Sequence, residues 1–393
     1  MINRILMLEP NDTICSVLER NRGKGPSFDV LRLLLAVAIF VLHARWVAGM
    51  ADVSAMGNAV ATGAPAAPAA PAPTGAAVHR EMLTLPLMKS LVPAFFALSG
   101  FLVLGSALRL RATSTFLAHR GLRIFPALAV EVIFCAILLG PMLTSLPLQQ
   151  YSSEPLLFRY FGNALGFVTY HLPGVFEQNP VSGVVNASLW TLPSEFYCYV
   201  IIAALLLTRA AYSRTFFAIG LLAITLSLAY AHFLFEISAP TTGHYPAHVI
   251  VYYFFVGTLL YHYRDHIPVN VGLFLACLAL AYVGLAFDQL AYLAPIPLTY
   301  CTIFFGLVRL PKPAFISRGD YSYGIYLYSF PIAQAYMALI PELKGHGGLL
   351  IALAGISSCV FAALSWHLIE RRTLELKQHL PQSWFPVTLR AAG

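Results

Sequence analysis

The chain carries little charge for its length. Asp, Glu, Lys and Arg make up only 10% of its 393 residues, whereas 59% are hydrophobic and the mean hydropathy is +0.73. A soluble domain has about a quarter charged residues, so an ordinary soluble protein is excluded. The composition instead predicts a polytopic membrane protein whose helices contact membrane lipids.

Two features that would indicate other protein classes are also missing. The six cysteines stand mostly within apolar stretches and show no paired spacing. This excludes a disulfide framework and a cysteine-rich metal site, so we expect no metal cofactor. The formal net charge is +7, but the basic residues are scattered through short polar segments instead of being gathered in one domain. That distribution argues against nucleic-acid binding.

Long apolar stretches, in contrast, are abundant. A search for stretches of about 20 apolar residues predicts ten transmembrane helices and an all-α integral membrane fold. They lie near residues 27–48, 84–107, 124–146, 189–208, 214–234, 246–263, 269–287, 289–308, 321–340 and 347–369. An even number of crossings places both termini on the same side of the membrane.

The basic residues indicate which side that is. With both termini in the cytoplasm, eighteen of the 24 lysines and arginines lie in cytoplasmic segments and only four lie outside. The positive-inside rule therefore predicts a cytoplasmic N-terminus and C-terminus. Residues 1–26 form the predicted N-terminal segment, 27–372 the transmembrane domain and 373–393 the cytoplasmic tail.

Two predicted outer loops differ in composition. The loop 49–82 contains an Ala/Pro tract at 61–77, which indicates a solvated linker without chemistry. The loop 148–188 combines aromatic, amide and carboxylate side chains, and we expect a short interfacial helix at 156–169. Such a surface suits a sugar-like acceptor, although anchoring at the membrane interface explains the same residues.

Arg32 and His43 stand eleven residues apart within the first predicted span. In an α-helix that interval returns to nearly the same face and covers about 16 Å. Ionisable side chains within a span usually face the bundle interior or a wet cavity. The pair therefore predicts a polar site inside the helix bundle.

Six short strings are spread along residues 27–372. They are Ser27-Phe-Asp-Val-Leu-Arg32 followed by His43, Pro93-Ala-Phe-Phe-Ala-Leu-Ser-Gly-Phe-Leu102, Arg120-Gly-Leu-Arg-Ile-Phe-Pro126, Ser188-Leu-Trp-Thr-Leu-Pro-Ser-Glu-Phe-Tyr197, Tyr321-Ser-Tyr-Gly-Ile-Tyr-Leu-Tyr328 and Leu364-Ser-Trp-His-Leu-Ile-Glu-Arg-Arg372. In this order they resemble the acyltransferase-3 family, the bacterial membrane O-acyltransferases that modify polysaccharides, lipopolysaccharide O-antigens and related glycans.

The resemblance implies a substrate pair and a location. The donor would be acyl-CoA, usually acetyl-CoA, taken from the cytoplasm. The acceptor would be a hydroxyl of a surface glycan or a lipid-linked sugar, at or beyond the outer face. The location implied is the bacterial cytoplasmic (inner) membrane.

His43 is the predicted catalytic general base. An imidazole can take a proton near neutral pH, here from the acceptor hydroxyl as that hydroxyl attacks the thioester. Arg32, nearer the cytoplasm, would hold a donor phosphate, and the distance of about 16 Å is comparable to the reach of a pantetheine arm. A covalent acyl-imidazole relay and a purely structural histidine are the alternatives.

Glu195 is the predicted second catalytic residue. It lies about 10 Å below the outer surface if the fourth span begins near residue 189, which matches the depth of His43. A carboxylate there can orient an imidazole and stabilise its protonated form, or it can pair with a buried cation such as Arg45. Trp190 is a candidate for stacking on the acceptor, with interfacial anchoring as the alternative.

Arg120 and Arg123 are predicted to bind the donor. They stand three residues apart on a segment leading into the third span, and they match the family's Arg-x-x-Arg string. Ordinary positive-inside charge is the alternative. Ser99 is a secondary candidate for lining the substrate pocket, and we expect Asp29, one turn before Arg32, to restrain that guanidinium.

A different class of function fits the same ionisable residues. A proton-coupled secondary transporter or flippase could use Arg32, His43 and Glu195 as a relay. Against it, no charged motif is repeated between the two halves of the chain. An enzyme would consume acetyl-CoA, whereas a carrier would move its substrate without CoA.

Overall fold

The fold was analysed in a computed structural model, which describes residues 9, 11–50, 75–110, 112–235, 246–313, 315–316 and 318–379. Within these ranges the chain is helical, with isolated β-bridges and no strand. The all-α prediction is confirmed for this part of the chain. Most of the Ala/Pro tract and the end of the predicted tail, residues 380–393, lie outside it.

Except for the first, which lies in the predicted N-terminal segment, the helices follow the predicted apolar stretches. They are α1 (Ile14–Arg20), α2 (Phe28–Val47), α3 (Gly75–Leu110), α4 (Thr113–Ile133), α5 (Thr191–Leu207), α6 (Arg214–Phe235), α7 (Ala247–His262), α8 (Val271–Ala286), α9 (Pro295–Leu307), α10 (Ser322–Leu339) and α11 (Gly347–Ser365). The main difference is that α4 begins at Thr113 instead of near residue 124. Arg120 and Arg123 therefore lie within this helix and not ahead of it.

Several shorter helical segments extend or connect these helices. α4 continues through a π-helical segment, Phe134–Leu139, and α11 continues through another, Trp366–Glu370. Between α4 and α5, a short helix at Pro155–Phe161 runs into a 3₁₀ turn at Gly162–Leu165. These two elements occupy much of the stretch predicted as an interfacial helix.

Among the residues that the structure describes, five helical segments are long and apolar enough to cross a membrane. They are Phe28–Val47, Thr84–Leu110, Thr113–Leu143, Ala187–Leu207 and Gly347–Gln378. The apolar parts of α6 to α9 are shorter, at 10–17 residues each, whereas a crossing usually takes about 20. These segments indicate a membrane protein, while ten crossings and cytoplasmic termini stay predictions.

Small residues allow α3 and α7 to approach closely. A Cβ atom on Gly100 of α3 would lie 1.9 Å from the carbonyl oxygen of Phe254, and one on Gly257 of α7 would lie 2.0 Å from that of Ala97. Neither position has room for a side chain unless the backbones separate. Close backbone approach at small residues is typical of helix packing in membranes.

α10 is a central helix that also forms hydrogen bonds with the segment between α4 and α5. Its buried Gln334 donates hydrogen bonds to the carbonyl oxygens of Val181 and Val184, at 2.8 Å and 2.6 Å. Asn179 donates in turn to Oε1 of Gln334 at 2.8 Å. The buried side-chain amide of Gln334 therefore holds a long irregular segment against the helix bundle. The same hydrogen bonds satisfy the polar atoms of that amide.

Candidate active site

A cavity lies between α2, α3, α4, α5 and α10. Its polar lining residues are Arg32, Ser99, Arg120, Arg123, Thr191, Glu195, Tyr199, Tyr323 and Tyr326. The rest of the wall is apolar and includes Ile39 of α2 and Phe95 of α3. A concave, mostly apolar space with a few convergent polar groups is the usual form of a ligand site.

Five of the residues predicted from sequence meet at this cavity. They are Arg32, Ser99, Arg120, Arg123 and Glu195. These residues come from four different helices, so the sequence strings that carry them converge in space. We call the part of the cavity that holds the three arginines its arginine end.

At the arginine end, Arg32 and Arg123 share one carboxylate. Nη1 of Arg32 lies 2.7 Å from Oδ2 of Asp320, and Nη2 of Arg123 lies 2.5 Å from the same oxygen. Asp320 also accepts hydrogen bonds on Oδ1 from the hydroxyl and the backbone amide of Ser322, at 2.5 Å and 3.3 Å. The carboxylate thus joins α2, α4 and the start of α10.

Asp320 lies in the connection before α10, outside the helices. Burial raises the pKa of its carboxyl, but the charges of Arg123 and Arg32 and the hydrogen bond from Ser322 outweigh that effect. The pKa of Asp320 therefore lies well below its usual value, and the group stays ionised near neutral pH.

The expectation that Asp29 restrains Arg32 is corrected by these contacts. Asp29 is exposed, and its carboxylate lies 3.9 Å from Nζ of Lys312. Spacing along α2 suggested a partner one turn away, but the guanidinium turns toward a carboxylate in the connection before α10. Asp320 is partly buried and lies beside two cations, so Arg32 gains more from pairing with it than with Asp29. An exposed ion pair with Asp29 would contribute little to stability.

Arg120 differs from the other two arginines. Its guanidinium carbon lies 5.6 Å from the ring centre of Tyr199 and 5.8 Å from that of Phe116. Within the described residues it makes no ion pair, and its Nε is buried without a hydrogen-bond partner. A cation held by aromatic faces keeps its N–H donors available for an anionic ligand.

Glu195 is held by two hydroxyl groups. Ser99 donates a hydrogen bond to its Oε1 at 3.3 Å, and Tyr199, one turn along α5, donates a short one to the same atom. Ser99 therefore lines the cavity and also orients the carboxylate. The sequence did not single out Tyr199, although its spacing of four residues from Glu195 is the signal that would have found it.

Tyr326 was also given no role from the sequence, and the structure places it in the cavity wall. Its hydroxyl donates to the carbonyl oxygen of Ser188 at 3.0 Å and lies 2.6 Å from Oγ1 of Thr191. These contacts fix the turn before α5 against α10. Asp320, like Tyr199 and Tyr326, was missed by sequence reasoning, because it stands just ahead of the string that begins at Tyr321.

His43 lies beyond the cavity wall. It is one helical turn past Ile39 on nearly the same face of α2, and its ring packs edge-on against Phe330 with 5.2 Å between centres. Nδ1 of His43 is buried and has no hydrogen-bond partner among the described residues. The structure shows no hydrogen bond between His43 and Glu195, whose Oε1 is occupied by Ser99 and Tyr199.

Trp190 is also absent from the cavity wall. It ends the 3₁₀ turn Ala187–Trp190 and is half-buried, while the next residue, Thr191, lines the cavity.

The described residues contain no group of three or more His, Cys, Asp or Glu side chains that could hold a metal ion.

Comparison with known proteins agrees with this geometry. A family model described as an acyltransferase domain, Acyl_transf_3, matches residues 26–368. The chain belongs to the acyltransferase-3 family. The match includes all five cavity residues predicted from sequence, as well as Asp320 and His43.

Two relatives of this acyltransferase-3 protein resemble it over most of their length. An O-acetyl transferase of Shigella phage Sf6 is 27% identical over 293 residues, which cover 71% of this chain and 83% of the relative. Nodulation protein 10 of Rhizobium leguminosarum bv. viciae is 27% identical over 395 residues, 92% of this chain and 96% of the relative. No solved structure matches. The family and the first relative identify an O-acyltransferase, which favours the enzyme over the transporter.

Proposed function

We propose that this O-acyltransferase transfers an acetyl group from cytoplasmic acetyl-CoA to a hydroxyl of a cell-surface glycan or glycolipid. The observation that carries the proposal is a cavity with three arginines at one end and, beyond Ile39 in its wall, His43. The arginines suit the phosphates of the donor, and the apolar middle suits its pantetheine arm. The relative named as an O-acetyl transferase supports the choice of acetyl.

His43 is the proposed general base. It accepts the proton of the acceptor hydroxyl as the oxygen attacks the thioester carbonyl carbon. The tetrahedral intermediate then expels CoA as the C–S bond breaks, and the thiolate takes up the proton held by His43. The products are the acetyl ester and free CoA, and His43 returns to its neutral form.

Glu195 is proposed to stabilise the protonated imidazole by its charge. Because the carboxylate is bonded by Ser99 and Tyr199, its effect on His43 would act through space and not by a direct hydrogen bond. Arg120 is proposed to hold a donor phosphate together with Arg32 and Arg123.

The acceptor is proposed to approach from the segment between α4 and α5. This requires ten membrane crossings with both termini in the cytoplasm of a bacterial cell, so that the arginine end faces the cytoplasmic donor. Trp190 stands where this segment enters α5 and is proposed to contact the acceptor sugar. Aromatic side chains at such positions offer a flat face for a sugar ring.

The proposal is tested by measuring acetylation of the host's surface glycans by mass spectrometry. His43→Ala should lower acetylation by about 10²-fold or more, the usual contribution of a general base. His346→Ala is the matched control, because His346 is an exposed histidine bonded to backbone carbonyl groups. Normal acetylation by a correctly inserted His43→Ala protein would refute the base. Glycans from strains with and without the gene would identify the acceptor.

A further inference from the structure

Two arginines from different helices bond the same carboxylate oxygen. Arg32 of α2 and Arg123 of α4 approach Oδ2 of Asp320 at 2.7 Å and 2.5 Å. Both arginines line the cavity, whereas Asp320 lines a neighbouring cleft. The carboxylate therefore lies behind the two guanidinium groups when they are viewed from the cavity.

A shared counter-charge allows these two cations to stay together. Like charges at contact distance repel, and the repulsion grows where water is partly excluded. Asp320 contacts one terminal nitrogen of each arginine, Nη1 of Arg32 and Nη2 of Arg123. A guanidinium has five N–H donors, so most donors of the pair remain for a ligand.

The surroundings of Asp320 fix the direction of this pair. Oδ1 of Asp320 is held by the hydroxyl and the amide of Ser322, so the carboxylate cannot turn without losing hydrogen bonds. The Arg123 guanidinium also lies 5.9 Å from the ring centre of Tyr323 and 4.0 Å from Oε2 of Glu370. Groups held in this way before binding lose little entropy when the ligand arrives.

We infer that Asp320 is a positioning residue of the donor site, which holds Arg32 and Arg123 side by side so that their remaining N–H groups bind one phosphate of the donor. The inference rests on the proposed function, because it takes a CoA thioester as the donor. Two adjacent guanidinium groups match the oxygens of a phosphate or pyrophosphate. Asp320 itself touches neither the donor nor the reacting atoms.

Asp320→Asn tests the inference, because it removes the charge and keeps the size. Inverted membrane vesicles of the host, containing the full chain and its native acceptor, are given acetyl-CoA or acetylpantetheine, which has no phosphate. We expect the KM for acetyl-CoA to rise about tenfold or more, as for a lost charge-assisted contact, with kcat little changed. The kcat/KM for acetylpantetheine should not change.

Asp29→Asn is the matched control. Asp29 also carries a carboxylate at this end of α2, but it is exposed and pairs with Lys312 at 3.9 Å. Its loss should leave the kinetics of both donors at the wild-type values. An effect equal to that of Asp320→Asn would show that only the local charge matters, and it would overturn the inference.

The other outcomes also decide the question. An unchanged or lower KM for acetyl-CoA in Asp320→Asn overturns the inference, and so does an equal loss with both donors, which would mark a purely structural residue. If that variant does not fold, Ser322→Ala replaces it, because it removes the hydroxyl that bonds Oδ1, leaves the backbone amide bond and keeps the ion pairs. A raised KM for acetyl-CoA alone then supports the inference, and an unchanged KM overturns it.

Failure of the proposed function would be visible in the wild type. Vesicles with the unmodified chain would then incorporate acetyl groups from neither donor. The inference about Asp320 would then fail as well, because it takes a CoA thioester as the donor. Incorporation by the wild type with no difference in Asp320→Asn would reject only the role of Asp320.

Discussion

At the scale of single residues, the three arginines of the cavity are not equivalent. Arg32 and Arg123 are bonded to Asp320, whereas Arg120 rests on the rings of Tyr199 and Phe116. The sequence presented Arg120 and Arg123 as one pair with one purpose. Their contacts differ: Arg123 also stabilises the fold, whereas the N–H groups of Arg120 are available to a ligand.

Arg120→Ala and Arg123→Ala should therefore fail in different ways. Removing Arg123 leaves Asp320 and Glu370 short of a cation in a partly buried place, which should cost up to about 3 kcal/mol and lower the thermal midpoint. Removing Arg120 should weaken donor binding about tenfold while stability changes little. Thermal unfolding and acetyl-CoA binding by the purified protein measure both effects. Equal losses of stability would contradict this distinction.

The lowered pKa of Asp320 leads to a prediction about pH. Because its pKa is lower in the folded protein, the carboxylate stabilises the fold at neutral pH, and this stabilisation declines only below the unfolded pKa of about 4. Wild type and Asp320→Asn should therefore differ in thermal midpoint by the same amount at about pH 8 and about pH 5. The difference should shrink below about pH 4. A difference already smaller at pH 5 would contradict the assignment.

At the scale of elements, the contact between α3 and α7 depends on two glycines. Gly100 and Gly257 face backbone carbonyl oxygens on the opposite helix, which cannot move as a flexible side chain would. α3 also carries Ser99, next to Gly100, so the same contact positions one of the hydroxyl groups that hold Glu195. Packing of these helices and geometry of the cavity are therefore coupled.

Gly257→Ala should force α3 and α7 apart. The new Cβ would lie 2.0 Å from the carbonyl oxygen of Ala97, so we expect destabilisation of about 1–3 kcal/mol or more and a loss of acetyl transfer. Gly220→Ala in α6 is the control, because a Cβ there meets no atom within 4 Å. Thermal unfolding in detergent compares the two variants. Equal thermal midpoints would show that the glycine contact is not needed.

At the scale of the whole molecule, the proposed transfer depends on how the helices cross the membrane. In the described part of the chain, five helical segments are long and apolar enough by themselves, and the short apolar helices α7, α8 and α9 are not. Helices that are too short can still cross where neighbouring helices or a thinner bilayer cover their ends. The proposed transfer needs Arg318 and the segment around Glu177 on opposite sides of the membrane.

Single cysteines placed in a cysteine-free variant test this arrangement. Glu177→Cys should react with a membrane-impermeant maleimide in intact cells, whereas Arg318→Cys should react only after the cells are opened. Both side chains are exposed in the fold, so burial does not explain a missing reaction. Labelling of both positions in intact cells would refute the predicted orientation and the route from a cytoplasmic donor.

The sequence alone determined the helices and the family. Apolar stretches of the right length predicted α2 to α11, because a chain in a membrane must satisfy its backbone hydrogen bonds within helices. The short strings contain Arg32, Ser99, Arg120, Arg123 and Glu195, which line the cavity, and also His43 and Trp190, which do not. These strings resemble a family whose model matches residues 26–368. Local pattern was sufficient for these features.

The contacts between these residues, in contrast, depend on how the helices pack together. Arg123 and Asp320 are 197 residues apart, and no spacing along one helix brings them together. Depth in the membrane suggested that His43 and Glu195 would meet, but depth does not specify which face of each helix turns toward the other. Glu195 is bonded by Ser99 and Tyr199 because the packing of α3 against α5 places their hydroxyl groups there. Sequence periodicity fixes the face of a single helix, whereas the rotation of one helix against another depends on how all the side chains pack.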